Sequence, residues 1–191
     1  MSRTHVTDIG FTGEVWNNVS VTMTSTKGGG IQDPTFVKVA DNGSASTGIF
    51  GYSFSASTEE ELFFTLQAPF SYKEGTNVHP HIHWMPNSTD TGTVIWGLEV
   101  AVVNQGVALG NTALITTTTN GGGTAYEHII SEWDDLDGSN FKFNSTMLCR
   151  IYRDATADTF TGEAILLLMD FNHLMDTIGS DNTHTKTVGT K

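Results

Sequence analysis

The sequence predicts an all-β protein, an antiparallel β-sandwich of the jelly-roll kind. The chain divides into about ten short segments rich in β-branched and aromatic residues, and turns containing Gly, Asn or Asp separate them. No segment shows the apolar spacing of an amphipathic helix. A chain of this pattern closes its core by packing two sheets face to face, so we expect one sandwich domain.

Length, composition and charge limit the classes of function. The 191 residues, 38% of them apolar, suffice for one domain with a core. Nine Lys and Arg against 21 Asp and Glu give a net charge of −12, which argues against binding of nucleic-acid phosphates. The single cysteine, Cys149, cannot form an intrachain disulfide and stands in an apolar run, so we interpret it as a buried hydrophobe.

The first half of the chain predicts an arm followed by the first strands of the sandwich. Residues 1–34 hold one strand, at 14–23, and the glycines 28–30, so we expect an N-terminal arm with a flexible elbow. The sandwich domain is expected at residues 35–175. Its first strands are predicted at 36–39 and 48–54, joined by the turn signal Asp41-Asn42-Gly43, then at 61–67 and within the stretch 73–86.

The second half contains the clearest strand pattern. Residues 93–103 show the clearest period of two, with one face formed by Val94, Trp96, Leu98, Val100 and Val102. Further strands are predicted at 113–119, 126–133, 147–152 and 164–171, and the last is so apolar that both of its faces should be covered. Residues 176–191 are polar and cannot order themselves alone, so we expect a flexible C-terminal arm.

Three of the seven histidines lie in one row. His79, His81 and His83 alternate along a predicted strand and therefore project to one face, while Ile82 and its apolar neighbours project to the other. Pro80 has no backbone donor and is tolerated mainly at a sheet edge or a bulge. We therefore expect this strand to border its sheet, where a second subunit packs.

A metal site is the competing interpretation of the histidine row. The spacing Gly75-X5-His81-X-His83 matches the opening of the first cupin motif, and two imidazoles on one strand can share a metal. The match then fails, because Asn87 and Ser88 stand where that motif has a Glu.

The strand geometry also argues against three histidine ligands. Alternate strand residues are about 6.6 Å apart, whereas two donors on one zinc lie within about 4 Å of each other. A neighbouring strand would have to complete the site, and Glu99 and His128 are the candidates. We expect the row to be structural or interfacial, and we assign no metal ligand.

The remaining motifs predict no chemistry. The acidic cluster at 134–138 fails the spacing of a calcium loop and is interpreted as a solvated turn. There is no Gly-X-Ser-X-Gly elbow and no phosphate-binding loop, so we predict no catalytic or cofactor-binding residue, no cofactor and no enzyme. A signal-peptide apolar region and a run of about 18 apolar residues are also missing, so we expect neither export nor a membrane partner.

A series of motifs resembles a group of small virion proteins of tailed bacteriophages. It extends over about residues 33–186 and consists of Asp33-Pro34-Thr35-Phe36, Asp41-Asn42-Gly43 with Gly48-Ile49-Phe50, Glu61-Leu62-Phe63-Phe64, Tyr72-Lys73-Glu74-Gly75-Thr76, His79-Pro80-His81-Ile82-His83-Trp84, Arg150-Ile151-Tyr152-Arg153-Asp154, Asp170-Phe171-Asn172-His173 and Asp176-Thr177-Ile178-Gly179-Ser180. The resemblance implies a β-sandwich structural protein, a capsid decoration (cement) protein that binds the phage major capsid protein on the capsid surface after assembly in the host cytoplasm. It carries over no catalytic residue.

The expected partners follow from the edge, the arms and the resemblance. Polar arms can order on neighbouring subunits, so an acidic, disulfide-free sandwich with two arms suits a shell-clamping protein. We expect a homo-oligomer, and the resemblance implies a trimer. Two alternatives stay open: a tail or fibre component that contacts the host surface, and a cupin-like metal enzyme or sugar-binding module.

Overall fold

A computed structural model describes residues 13–180 and 182–186 and has the two-sheet architecture that the sequence predicts. These residues form ten strands: β1 (Val15–Thr22), β2 (Thr35–Ala40), β3 (Ile49–Phe54), β4 (Glu60–Gln67), β5 (Val78–Pro86), β6 (Thr93–Val103), β7 (Ala113–Asn120), β8 (Ile129–Glu132), β9 (Thr146–Arg153) and β10 (Ala164–Met175). Two single 3-10 turns lie at Met23–Ser25 and Gly138–Asn140. No helix in the described ranges is long and apolar enough to span a membrane.

The order of the strands in the two sheets is that of a jelly roll. Sheet A runs β2-β3-β10-β5-β8, with β1 also paired to β10, and sheet B runs β4-β9-β6-β7. All recorded pairings are antiparallel. From β3 to β10, the sheets read β3-β10-β5-β8 and β4-β9-β6-β7, which is the double Greek key of this fold. The predicted fold class is confirmed, and β1 and β2 are additions to it.

The core forms where the inward faces of the two sheets meet. On β5 the burial alternates residue by residue, and the inward positions are Val78, Pro80, Ile82, Trp84 and Pro86. Large rings from both sheets meet edge to face in the centre, with centroids 5.1 Å apart for Phe54 and Trp96 and 6.1 Å apart for Trp84 and Trp96. The period-two pattern therefore decides which face of each strand lies in the core.

The predicted edge position of the histidine strand is wrong. β5 lies between β10 and β8, and Pro80 is paired with Phe171 of β10. On the other side, the β8 register ends at Glu132 and the chain pairs again only through the bridge between Leu136 and Val78. Pro80 faces this interruption and accepts a hydrogen bond from the backbone N–H of Trp133 (3.2 Å). A proline without an N–H is tolerated inside the sheet because its partner strand is irregular there.

The described parts of both predicted arms pack on the sandwich. β1 pairs with β10 from Val15 opposite Met175 to Thr22 opposite Leu168, so the strand predicted in the N-terminal arm belongs to sheet A and residue 35 does not begin the sandwich. At the other terminus, the amide of Asn144 donates to the carbonyl of Thr183 at 3.1 Å. Residues 1–12, 181 and 187–191 of the predicted arms lie outside the described residues.

One carboxylate joins two loops at the end of the sandwich. The Oδ2 atom of Asp90, in the β5–β6 loop, accepts from the backbone N–H (2.7 Å) and the hydroxyl (2.6 Å) of Thr161 in the β9–β10 loop. Its Oδ1 atom accepts from the N–H of Gly92 at 3.0 Å. Because these donors, chiefly Thr161, favour the ionised form, they lower the pKa of Asp90 to about 2.

We expect the replacement Asp90→Ala to destabilise the fold in a pH-dependent way. Because the pKa is lower in the folded than in the unfolded chain, the stabilisation is present above about pH 4 and is lost as the pH falls towards about 2. Urea unfolding of the unmodified chain and the variant at a series of pH values gives the difference between their free energies of unfolding. This difference should become smaller as the pH falls over this range. Asp134→Ala, at an exposed carboxylate, is the control and should give no such trend.

Candidate functional site

The histidine row lies on the outer face of sheet A. His79, His81 and His83 project outward from β5 and are partly exposed, while Ile82 and Trp84 are fully buried on the inward face. The predicted division of the strand into two faces is confirmed. Because β5 is an inner strand, the row is flanked by β10 on one side and by β8 on the other.

Asp170 of β10 joins two of the histidines. It lies directly opposite His81 in the register, and its Oδ1 atom is 2.9 Å from Nδ1 of His81. Its Oδ2 atom is 3.3 Å from Nε2 of His83. All three side chains are about 15% exposed, at 16% for each histidine and 15% for the aspartate. A single carboxylate therefore orients two imidazoles. The spacing of alternate residues on one strand would not by itself bring these rings together.

His128 completes this cluster from the loop before β8. Its Nε2 atom is 2.9 Å from Nδ1 of His83, and the two rings stack with centroids 5.0 Å apart. His128 was one of the two candidates from the sequence for completing the row, and the structure brings it there. Glu99, the other candidate, lies on β6 of sheet B, where it forms a contact with Arg150.

The imidazoles of this cluster are engaged in polar contacts with Asp170 and with one another. His83 uses both ring nitrogens, one towards Asp170 and one towards His128. In residues 13–180 and 182–186, no group of three His, Cys, Asp or Glu side chains is placed to hold a metal ion. Asn87, at the position where a cupin has Glu, instead accepts from the N–H of Glu163 at 2.8 Å.

An aromatic and amide group forms the other end of the same face. The Trp16 ring of β1 lies against the His79 ring with centroids 4.6 Å apart, and the indole is 46% exposed. Next to it, the amide of Asn18 donates to Oδ1 of Asn172 at 3.2 Å. His79 also contacts the carboxylate of Asp135. This end of sheet A presents a flat ring beside planar polar side chains.

We expect Asp170→Ala to lower the free energy of unfolding by about 1–3 kcal/mol, because two partly buried imidazoles lose their acceptor. Asp135→Ala is the matched control: it also removes a carboxylate bonded to a row histidine, but one that is 40% exposed, and should cost less than about 1 kcal/mol. Chemical denaturation of the two variants at neutral pH tests the difference. Equal losses would show that Asp170 does not organise the cluster.

The other predicted features are turns and core. The side chain of Asp137 accepts from the N–H of Ser139 at 2.9 Å and caps a 3-10 turn, and these hydrogen bonds lower its pKa. Asp135 contacts His79, and Leu136 within the acidic cluster forms a bridge with Val78. Cys149 is buried between the sheets, and burial raises the pKa of its thiol to about 12. Such a thiol is unreactive at neutral pH.

Sequence reasoning missed the buried arginine at the end of β9. Arg153 is fully buried and uses all five of its N–H donors: two bond to the carboxylate of Asp158, and three to backbone carbonyls of Phe54, Phe160 and Gly162. This side chain fixes the β9–β10 loop to β3. The signal in the sequence that could have indicated a buried arginine is its position at the end of the apolar strand β9.

The outer face of sheet B carries a group of ion pairs around Arg150. Arg150 contacts the carboxylates of Glu59, Glu61 and Glu99, and its guanidinium lies 4.3 Å from the centre of the Tyr152 ring. A Cβ atom added at Gly97 would lie 2.1 Å from that ring. Glycine is therefore required where the tyrosine lies flat on the sheet.

No protein family and no curated protein matches this sequence. Among solved structures, the CBM22-1 and GH10 modules of endo-1,4-β-D-xylanase 10B from Clostridium thermocellum, complexed with xylohexaose, align at 18% identity and a TM-score of 0.45, over 88% of this chain and 30% of that chain. The CBM22-2 xylan-binding domain of Xyn10C from Paenibacillus barcinonensis aligns at 17% identity and a TM-score of 0.43, over 83% and 99% of the two chains. Alignments at this level bear on neither ligand nor activity.

Proposed function

We propose that this chain is a non-catalytic structural protein of a tailed-phage virion that attaches to the capsid shell. The observation that carries the proposal is the distribution of exposed apolar side chains over broad outer surfaces. They are spread over both sheets and several loops: Trp16, Ile31, Phe36, Ile49, Phe63, Val107, Leu109, Leu114, Tyr126, Ile130, Leu148 and Ile178. Contacts between proteins use broad surfaces, whereas substrate and cofactor sites are concave.

The pocket between the sheets does not favour an enzyme. It is lined mainly by apolar core side chains such as Leu66 and Met147, with Tyr72 and His173 as its titratable groups. Burial raises the pKa of Tyr72 and lowers that of His173, so both are neutral near pH 7. The tyrosine hydroxyl already donates to the carbonyl of Thr76. This lining offers no nucleophile with a neighbouring base.

The resemblance to virion proteins is the basis for proposing a phage particle and its major capsid protein as the partner. The residues that carry it include pairs that meet in the fold, such as His81 with Asp170, and Tyr72 with His173, whose ring centroids are 6.1 Å apart. We propose the major capsid protein as the partner, as the resemblance implies, and we also propose that the chain forms a homo-oligomer. The open surfaces support protein partners rather than a small ligand.

Fractionation of particles tests this proposal. Virions of the phage that encodes the chain are purified on density gradients, separated into heads and tails, and examined by mass spectrometry. The proposal predicts that the chain copurifies with heads in stoichiometric amounts. Recovery with tails alone would favour the tail or fibre alternative, and absence from particles would reject a virion role.

A carbohydrate-binding module is the second candidate, and the exposed Trp16 favours it. An aromatic face can stack on the C–H face of a sugar ring, and neighbouring amides such as Asn18 and Asn172 can bind its hydroxyls. A glycan array probed with the full chain and with Trp16→Ala tests this function. Phe36→Ala, at an exposed aromatic on a different strand, is the control. Binding lost only in the Trp16 variant would support the module, and an array without signal would reject it.

A further inference from the structure

One continuous part of the chain carries no charge. Residues 100–126 contain no Asp, Glu, Lys, Arg or His, although the whole chain has a net charge of −12. They comprise the end of β6, the β6–β7 loop, β7 and most of the loop before β8. Four large apolar side chains in this part are more than half exposed: Val107, Leu109, Leu114 and Tyr126. This uncharged, partly apolar strip of the chain includes β7, the last strand of sheet B.

The strand at the centre of this strip is an open sheet edge. Among the strands of the described residues, β7 pairs with β6 alone. The N–H of Gly121 donates to the carbonyl of Gly92 at 2.9 Å, so these two facing residues form a hydrogen-bonded pair. Because such pairs alternate along an antiparallel ladder, the odd-numbered residues of β7 are the ones that bond to β6. The backbone groups of Leu114, Thr116, Thr118 and Asn120 therefore point away from the sheet. In the described chain, none of these outward groups has a recorded hydrogen bond.

Most other edges in the described residues are protected in the ways that prevent edge-to-edge pairing. β2 carries Lys38 and a register shift beside it, and β8 has only four residues. The edge of β4 is occupied by backbone hydrogen bonds from Lys27 and to Gln32. β1 is the other long edge, and it follows residues that the structure does not describe. β7 has eight residues, no charge and no proline.

We propose that β7 pairs antiparallel with β7 of a second copy of this chain and joins two four-stranded B sheets into one. The charge of the chain favours a second copy as the partner of this edge. Two copies with net charge −12 repel each other, so they approach at least cost where neither carries a charged side chain. A register centred on Thr117 places Thr116 of one copy opposite Thr118 of the other and keeps the inward faces together. Threonine pairs across strands stabilise such a ladder.

This inference deepens the homo-oligomer part of the proposed function. A two-fold pairing of identical edges closes after two copies, so it predicts a dimer where the resemblance implies a trimer. Attachment to the capsid does not depend on it. Particle fractionation can therefore succeed or fail independently of the mass of the free protein.

The mass of the full chain in solution is the first test. Light scattering after size exclusion at tens of micromolar should give twice the chain mass of 20.7 kDa. Thr118→Pro removes an outward N–H without touching the β6 ladder, and Thr118→Lys places charge on the edge; each should weaken the dimer by about tenfold or more. Ser20→Lys, on β1, is the matched control and should leave the dimer intact.

Three results for the protein in solution would contradict the β7 pairing. A monomer or a trimer of the unmodified chain would overturn the pairing, and so would a dimer lost in Ser20→Lys but kept in both Thr118 variants. Circular dichroism verifies that each variant is folded, and the two variants at residue 118 act through different physical means. If one of them unfolds, the other still decides.

A disulfide tests the register itself. Thr117→Cys places two thiols opposite each other at the proposed two-fold axis, at a non-hydrogen-bonded pair, where facing Cα atoms are about 4.5 Å apart. Mild oxidation should convert most of the protein to a covalent dimer, while the buried Cys149 stays reduced. Ser20→Cys is the control and should give little dimer. Equal cross-linking of the two variants would contradict the proposed register.

Discussion

Replacing Arg153 by methionine should lower the free energy of unfolding by about 3–5 kcal/mol, because the change leaves a buried carboxylate without its partner. Asp158 is 2% exposed at its side chain, and the three carbonyls that Arg153 binds would lose their donors as well. Urea denaturation followed by fluorescence of the four tryptophans measures the loss. The β9–β10 loop should also become more sensitive to proteases.

Two further variants separate this effect from a general loss of an arginine. Arg150→Met removes a guanidinium that also contacts carboxylates but is 24% exposed, so it should cost much less. Combining Arg153→Met with Asp158→Leu removes both buried charges and should recover part of the stability. A double variant less stable than Arg153→Met alone would contradict the assignment of the penalty to the unpaired carboxylate.

Replacing Trp84 by alanine should cost about 3–5 kcal/mol, the largest effect expected in the histidine strand. The indole is fully buried, meets the rings of Trp96 and Phe160, and donates to the hydroxyl of Ser131 at 2.9 Å. Ser131→Ala, which removes only the acceptor, should cost about 1 kcal/mol and serves as the control. Thermal or chemical unfolding gives both values. A loss from Trp84→Ala no larger than that from Ser131→Ala would contradict the central packing role of the ring.

The strands were predictable because each has a local signature. All ten predicted strands occur, and residues 93–103 match β6 at both ends. Alternation decides which face is buried, as on β5, because a strand exposed on one face must place its apolar residues on the other. The turn signal Asp41-Asn42-Gly43 follows the last residue of β2, and β3 begins at Ile49 after a longer loop.

The neighbours of a strand were not predictable from the same patterns. Pro80 permits either a sheet edge or an irregular partner, and the interruption that decides between them lies more than 50 residues later, at 133–135. Asp170 meets His81 only because the jelly roll places β10 beside β5. Such register contacts depend on the closed fold. The predicted edge of the histidine strand was therefore wrong, while its predicted faces were correct.

A reconstruction of the virion by cryo-electron microscopy tests the central claim most directly. The virion proposal predicts that density for the particle contains the jelly roll at repeated positions on the outside of the capsid shell, in contact with the major capsid protein. Particles assembled without the chain should lose that density and retain the shell. A shell fully accounted for by other proteins, with this chain found only in the tail or nowhere in the particle, would contradict the account.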